Sequence, residues 1–149
     1  MAGILIRKIN SFYSIPVATK WLFVESLITS AYVKCALLFL PFRVVAGWLG
    51  QGSAGHVEAG ARAEDLWIEK VKNAVRLCDK YAPWPTECYT RSLTAKIMLR
   101  RRKVASTLFF GFGRDPGGEL KGHAWLKSSG RVVTGFCDFS KYEVHSSFS

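Results

Sequence analysis

Apolar residues crowd the stretch Trp21–Leu40, then return at strict helical spacing between Trp67 and Cys78. From Val104 onward they give way to β-branched and aromatic runs broken by glycine. In the first stretch Glu25, Ser26, Thr29, Ser30 and Lys34 recur at intervals that confine them to one side of a helix. The other side is wide and apolar, with Trp21, Phe23, Leu27, Ala31 and Leu38. That helix is expected to pack on the protein, with a face for a membrane or a partner protein as the alternative. A membrane span fits poorly, because Glu25 and Lys34 leave Cys35–Leu40 as the longest unbroken apolar run. A span needs roughly 20 apolar residues. Pro41 stops the helix, and Phe42–Trp48 suits a further short one.

Residues 50–60, GQGSAGHVEAG, hold four glycines and no large apolar residue except Val57. They predict a boundary: an N-terminal apolar helical segment (1–50), a linker (51–60) and a folded domain (61–149). In that domain Trp67, Ile68, Val71, Ala74, Val75 and Cys78 form one apolar stripe at 3.6 residues per turn. Pro83 ends this helix, and Pro83-Trp84-Pro85 predicts an extended connector. Thr86 is the expected N-cap of a helix running to Arg102. Val104–Phe112 reads as a strand and Gly113–Gly122 as a loop. His123–Lys127 and Arg131–Phe136 read as strands flanking a Ser-Ser-Gly turn.

With 149 residues, 49% of them hydrophobic, the chain can bury a real core and is not disordered. Its net charge of +10 raises an anionic partner. The charge is dispersed, however: residues 1–60 carry 5 basic and 2 acidic groups, and residues 61–149 carry 16 and 9. The one dense run, Arg100–Lys103, falls at a helix C-terminus, where the helix dipole and solvation account for it. No aromatic interleaving or nucleic-acid motif accompanies it, so nucleic acid is not the expected partner. The four cysteines, at 35, 78, 88 and 137, make no Cys-x-x-Cys or Cys/His cluster, and no metal is expected. Cys35 and Cys78 lie inside apolar helical patterns and are read as buried hydrophobes. The N-terminus lacks the pattern of a signal peptide, which predicts a cytoplasmic chain with free thiols.

Cys88 differs from the other cysteines. A Thr86 cap would put it in the first helical turn, where unsatisfied N–H groups and the dipole favour a thiolate. A nucleophilic thiolate needs a general base. His123 is the best of the three histidines, since it opens the strand His-Ala-Trp-Leu; His56 lies in the glycine-rich stretch and His145 in a polar tail. Asp138 is the nearest acid after His123. A two-residue turn at Ser129-Gly130 would set Phe136 opposite His123, with Asp138 diagonal on the same face. A three-residue turn would put Cys137 there instead.

Residues 61–149 resemble the transglutaminase-like cysteine proteases of lasso peptide biosynthesis. Four pieces carry the resemblance, in order: PWPTECYTRSLTAKIMLRRR, the strand ASTLFFGFG, GHAWLKSSGRVV, and an acid. Tyr89 stands where the family usually has Leu. The resemblance implies an α+β papain/transglutaminase-like core, with Cys88 as nucleophile, His123 as base and Asp138 as third member. Some family members place the acid at the position of Gly135. It implies acyl transfer through a thioester, without metal or other cofactor. The oxyanion would sit on the Cys88 N–H and one further donor, and Trp84 would wall the cleft, supply an indole N–H or belong to the core. It also implies partners: a precursor peptide cut at its leader–core junction, a separate leader-recognition protein, and an ATP-dependent lasso cyclase. The rival readings are another thiol acyl-transferase, and a non-enzymatic adaptor in peripheral contact with a membrane.

Overall fold

A computed structural model describes residues 16–48 and 61–149. The whole 50–60 stretch, including His56, and the N-terminal residues before Pro16 lie outside the described residues. The helices are α1 (Val17–Phe39), α2 (Phe42–Gly47), α3 (Ala61–Tyr81) and α4 (Cys88–Arg101). The strands are β1 (Thr107–Arg114), β2 (Leu120–Ser128), β3 (Arg131–Thr134) and β4 (Tyr142–Phe148). They form one antiparallel sheet in the order β3-β2-β1-β4. The fold is α+β, as the sequence predicts.

The core lies between one sheet face and the helices. Leu108, Phe110, Ala124, Leu126 and Val133 meet Leu93, Met98 and Leu99 of α4, with Ile68, Val71 and Val75 of α3 behind. The α3 stripe is thus buried as its periodicity predicts. The other sheet face has its own aromatic cover, where Phe109 stacks on Trp125 at 5.7 Å beside Phe139 and Tyr142.

Helix α1 joins this core by an unexpected face. Ser26, Thr29 and Ser30 are buried beside Leu22, Val33 and Ala36. Trp21 and Leu38, expected on the packed side, are each 70% exposed. The physical reason is close approach: small side chains let α3 near, and Ser26 Oγ donates to the Ala74 carbonyl at 3.1 Å. The two central charges turn inward as well. Lys34 Nζ reaches Glu87 at 2.6 Å, and Glu25 meets Arg102 at 2.5 Å, tying α1 to both ends of α4. Cys78 is buried as expected, but Cys35 is exposed, because it belongs to the outward face.

Two further expectations fail in the sheet. Gly113 and Gly122 read as the two ends of a loop, yet both lie within strands, and the turn shrinks to residues 115–119. The polar tail holding His145 forms β4 against β1, with a register shift between Phe110 and Gly111. Pairing with β1 supplies what its weak pattern lacks.

Candidate active site

The connector after α3 sets the start of α4. Thr86 does not cap the helix; its hydroxyl donates to the Asp79 carboxylate. Glu87 is the N-cap and Cys88 the first helical residue, one position earlier than expected. No side chain caps this end, because both Glu87 oxygens face Lys34. That ion pair holds the Glu87 carboxyl below the usual carboxylate range. Trp84 bridges the connector to α1, its indole N–H donating to Ser30 Oγ at 3.2 Å. That N–H is thereby engaged away from the cleft.

The first turns of α4 are fixed to β2 beside His123. Ser92, one turn after Cys88, donates to the Ala124 carbonyl at 3.2 Å and sits 2.9 Å from Thr134 Oγ1. Tyr89 stacks on Phe110 at 5.6 Å, and its hydroxyl lies where a Cβ of residue 122 would be. Glycine before His123 thus leaves the space that the Tyr89 hydroxyl occupies against the strand. Burial is the main reason the Tyr89 hydroxyl is pushed up in pKa, with the Cys88 charge adding.

His123 itself stacks on Trp125, with ring centroids 6.1 Å apart, and tilts against Tyr142 at 5.2 Å. The β3 side of the β2 edge is open at His123, since β3 has ended at Thr134. The chain then turns through Gly135 at φ +75°, where a Cβ would strike the Ala124 carbonyl and Trp125. This turn brings the Gly135 carbonyl 3.1 Å from His123 Nε2. A carbonyl only accepts, so Nε2 carries a proton, and in the neutral ring the lone pair is on Nδ1. Two residues on, the Cys137 thiol is pushed up in pKa, chiefly by burial, then by Asp138 and Cys88. The Gly135–Cys137 segment thus meets the His123 ring at Gly135 and feels the Cys88 charge at Cys137. Among the described residues no hydrogen bond joins Cys88 to His123.

Asp138 is held elsewhere. Its Oδ1 accepts from Ser140 Oγ at 2.6 Å and its Oδ2 pairs with Lys141 at 3.4 Å. These contacts hold its carboxyl below its ordinary range, with Ser140 the main cause. The turn has two residues, Ser129 and Gly130, both at positive φ. A bulge then pairs Leu126 with Thr134 although Lys127 faces Val132, which displaces the register that aligned Asp138 with His123. The imidazole meets a backbone carbonyl instead. Sequence reasoning missed that contact, whose one signal was the glycine at the family's alternative acid position. His145 is exposed on β4 against Phe112.

No group of three or more His, Cys, Asp or Glu among the described residues could hold a metal ion. A family model described as the transglutaminase-like superfamily matches residues 36–147. No curated protein and no solved structure matches the chain.

Proposed function

The chain belongs to the transglutaminase-like superfamily, which includes cysteine peptidases and acyl-transferases, and from that premise we propose a peptidase that removes the leader of a lasso peptide precursor. The observation that carries the thiol chemistry is the His123 Nε2–H bond to the Gly135 carbonyl. It leaves Nδ1 as the proposed base for Cys88, which stands at an uncapped helix N-terminus. The leader-peptidase reading rests further on motif residues that converge in space: Ser92 of the Cys88 motif bonds Ala124 of the His-Ala-Trp motif.

In the proposed reaction Nδ1 of His123 takes the Cys88 thiol proton, and the sulfur attacks the scissile carbonyl at the leader–core junction. The oxyanion is met by the Cys88 N–H at the helix start. The tetrahedral adduct collapses to a thioester as the imidazolium gives its proton to the departing amine. Water, deprotonated by the same imidazole, then releases the leader acid and frees the thiol. The Gly135 carbonyl holds the tautomer throughout, so Asp138 has no step here. Recognition of the leader is assigned to a separate protein, with the ATP-dependent cyclase acting on the freed core. The cytoplasm, where thiols stay reduced, is the proposed compartment.

The test mixes purified protein, recognition protein and precursor, and weighs the products. Release of intact leader and core is expected, with cleavage lost in Cys88→Ala. A mass gain on the precursor without leader loss would instead support the second reading, in which an amine rather than water takes the acyl group. Full cleavage by Cys88→Ala removes the nucleophile assignment.

A further inference from the structure

We propose that α1 is an interfacial helix that lays its outer face on an anionic phospholipid bilayer, with Arg100 and Arg101 against the headgroups. Val17, Trp21, Val24, Ile28, Tyr32 and Phe39 succeed one another at helical spacing, between 39% and 82% exposed. At 1.5 Å per residue they form a ridge of about 33 Å. Of the charged residues of α1, Glu25 and Lys34 face inward to Arg102 and Glu87, and Lys20 near the helix start is half-buried. A soluble helix orients its charges the other way.

A lipid surface fits this ridge better than a protein partner. Protein interfaces carry polar rims and regular hydrogen bonds. Among the described residues the ridge carries few polar atoms, the Cys35 thiol besides the Trp21 indole N–H and the Tyr32 hydroxyl, the last two on amphipathic aromatics suited to the headgroup boundary. Charge complementarity points the same way. The net charge is +10, and Arg7, Lys8 and Arg43 flank α1 in the sequence.

Beside the ridge, a cavity of about 370 Å³ opens between α1, α2 and α4. Tyr32 stacked on Trp48 and Ile97 give it an apolar lining; Arg100, which donates to the Trp48 carbonyl at 2.7 Å, and Arg101, which also pairs with Glu25 at 3.4 Å, line it too. Apolar wall and adjacent guanidinium match the acyl chain and phosphate of one lipid. The helix lies in the membrane plane and does not span it, because Ser26, Thr29 and Ser30 are buried in the protein core.

The inference is independent of the peptidase reading, and Cys88→Ala protein is expected to bind vesicles like the wild type. The experiment sediments the full chain with vesicles of phosphatidylcholine, alone or mixed with phosphatidylglycerol. Binding to the mixed vesicles is expected, and the joint Trp21→Glu and Ile28→Glu variant should lose at least about tenfold in affinity. Arg100→Gln with Arg101→Gln should lose about tenfold on mixed vesicles and little on neutral ones. Bromine-labelled lipid should quench tryptophan fluorescence strongly in the wild type and weakly in Trp21→Phe. Unchanged melting of the variants shows that the fold is kept. A chain that stays in the supernatant, or charge variants that bind as well as the wild type, overturn the proposal. Loss of recognition-protein binding in the Trp21/Ile28 variant without any vesicle binding also overturns it, and makes the ridge a protein interface.

Discussion

Helices α1 and α3 have nearly the same length, 23 and 21 residues, and pack on each other, yet they obey opposite rules. In α3 the apolar stripe faces the core, and Glu69, Asn73, Arg76 and Lys80 face solvent. In α1 the serines and threonine face the core, and Trp21, Ile28 and Phe39 face out. An amphipathic pattern therefore identifies two sides of a helix without saying which side is inside. Small polar residues can be inner ones when each hydroxyl finds a partner, as Ser26 does on Ala74 and Ser30 does on Trp84.

The contrast is broken most severely in α3. Val71 is fully buried, so Val71→Asp should cost about 4 kcal/mol or more and leave little folded protein by urea denaturation. A third helix sharpens the comparison. Lys96 of α4 is buried with no carboxylate partner among the described residues, its ammonium donating to the Ser106 carbonyl, and burial lowers its pKa to about 8. Protonation thus favours the unfolded chain, whose lysine titrates near 10.5. The penalty, about 3 kcal/mol, is complete below pH 8 and relieved as pH rises toward 10.5. Lys96→Met should therefore be the more stable protein at pH 7, by an amount that shrinks between those values in parallel urea titrations.

The inward charges of α1 predict a smaller effect of the other sign. Arg102 holds the Glu25 carboxyl below its ordinary value of 4.5. Its contribution is complete above that value and lost as pH falls through the lower folded one. Glu25→Gln should cost about 1–2 kcal/mol at neutral pH and flatten the acid limb of stability against pH. The smallest change is expected on the α1 ridge, where Ile28→Glu should leave stability within about 0.5 kcal/mol. An equal cost for Ile28→Glu and Val71→Asp would erase the distinction between the two helices.

The same division holds at the candidate site. The Cys88 and His123 motifs are legible in one dimension, because a proline-rich connector, a helix start and a strand start are local signals. Their third partner is not. A bulge between Leu126 and Lys127 and the left-handed turn at Gly135 bring a backbone carbonyl to the imidazole, where residue spacing pointed to Asp138. A carbonyl has no residue type, so no motif announces it. The helix cap moved for a similar reason, since Thr86 found Asp79 on α3, a partner seven residues upstream.

By itself the sequence determined the order of the helices and of the first three strands, the apolar stripe of α3, the stop signals at Pro41 and Pro83, and the motifs that join the chain to its superfamily. All of these rest on interactions within a few residues, which periodicity and turn chemistry record. Tertiary structure alone decided which side of α1 is buried, the bulged register of β3, the recruitment of the tail as β4, and the Gly135 carbonyl as partner of His123. Each depends on what a distant segment offers at close range, a hydroxyl's acceptor, a strand's free edge or space where a Cβ is missing, and that is settled only when the chain packs.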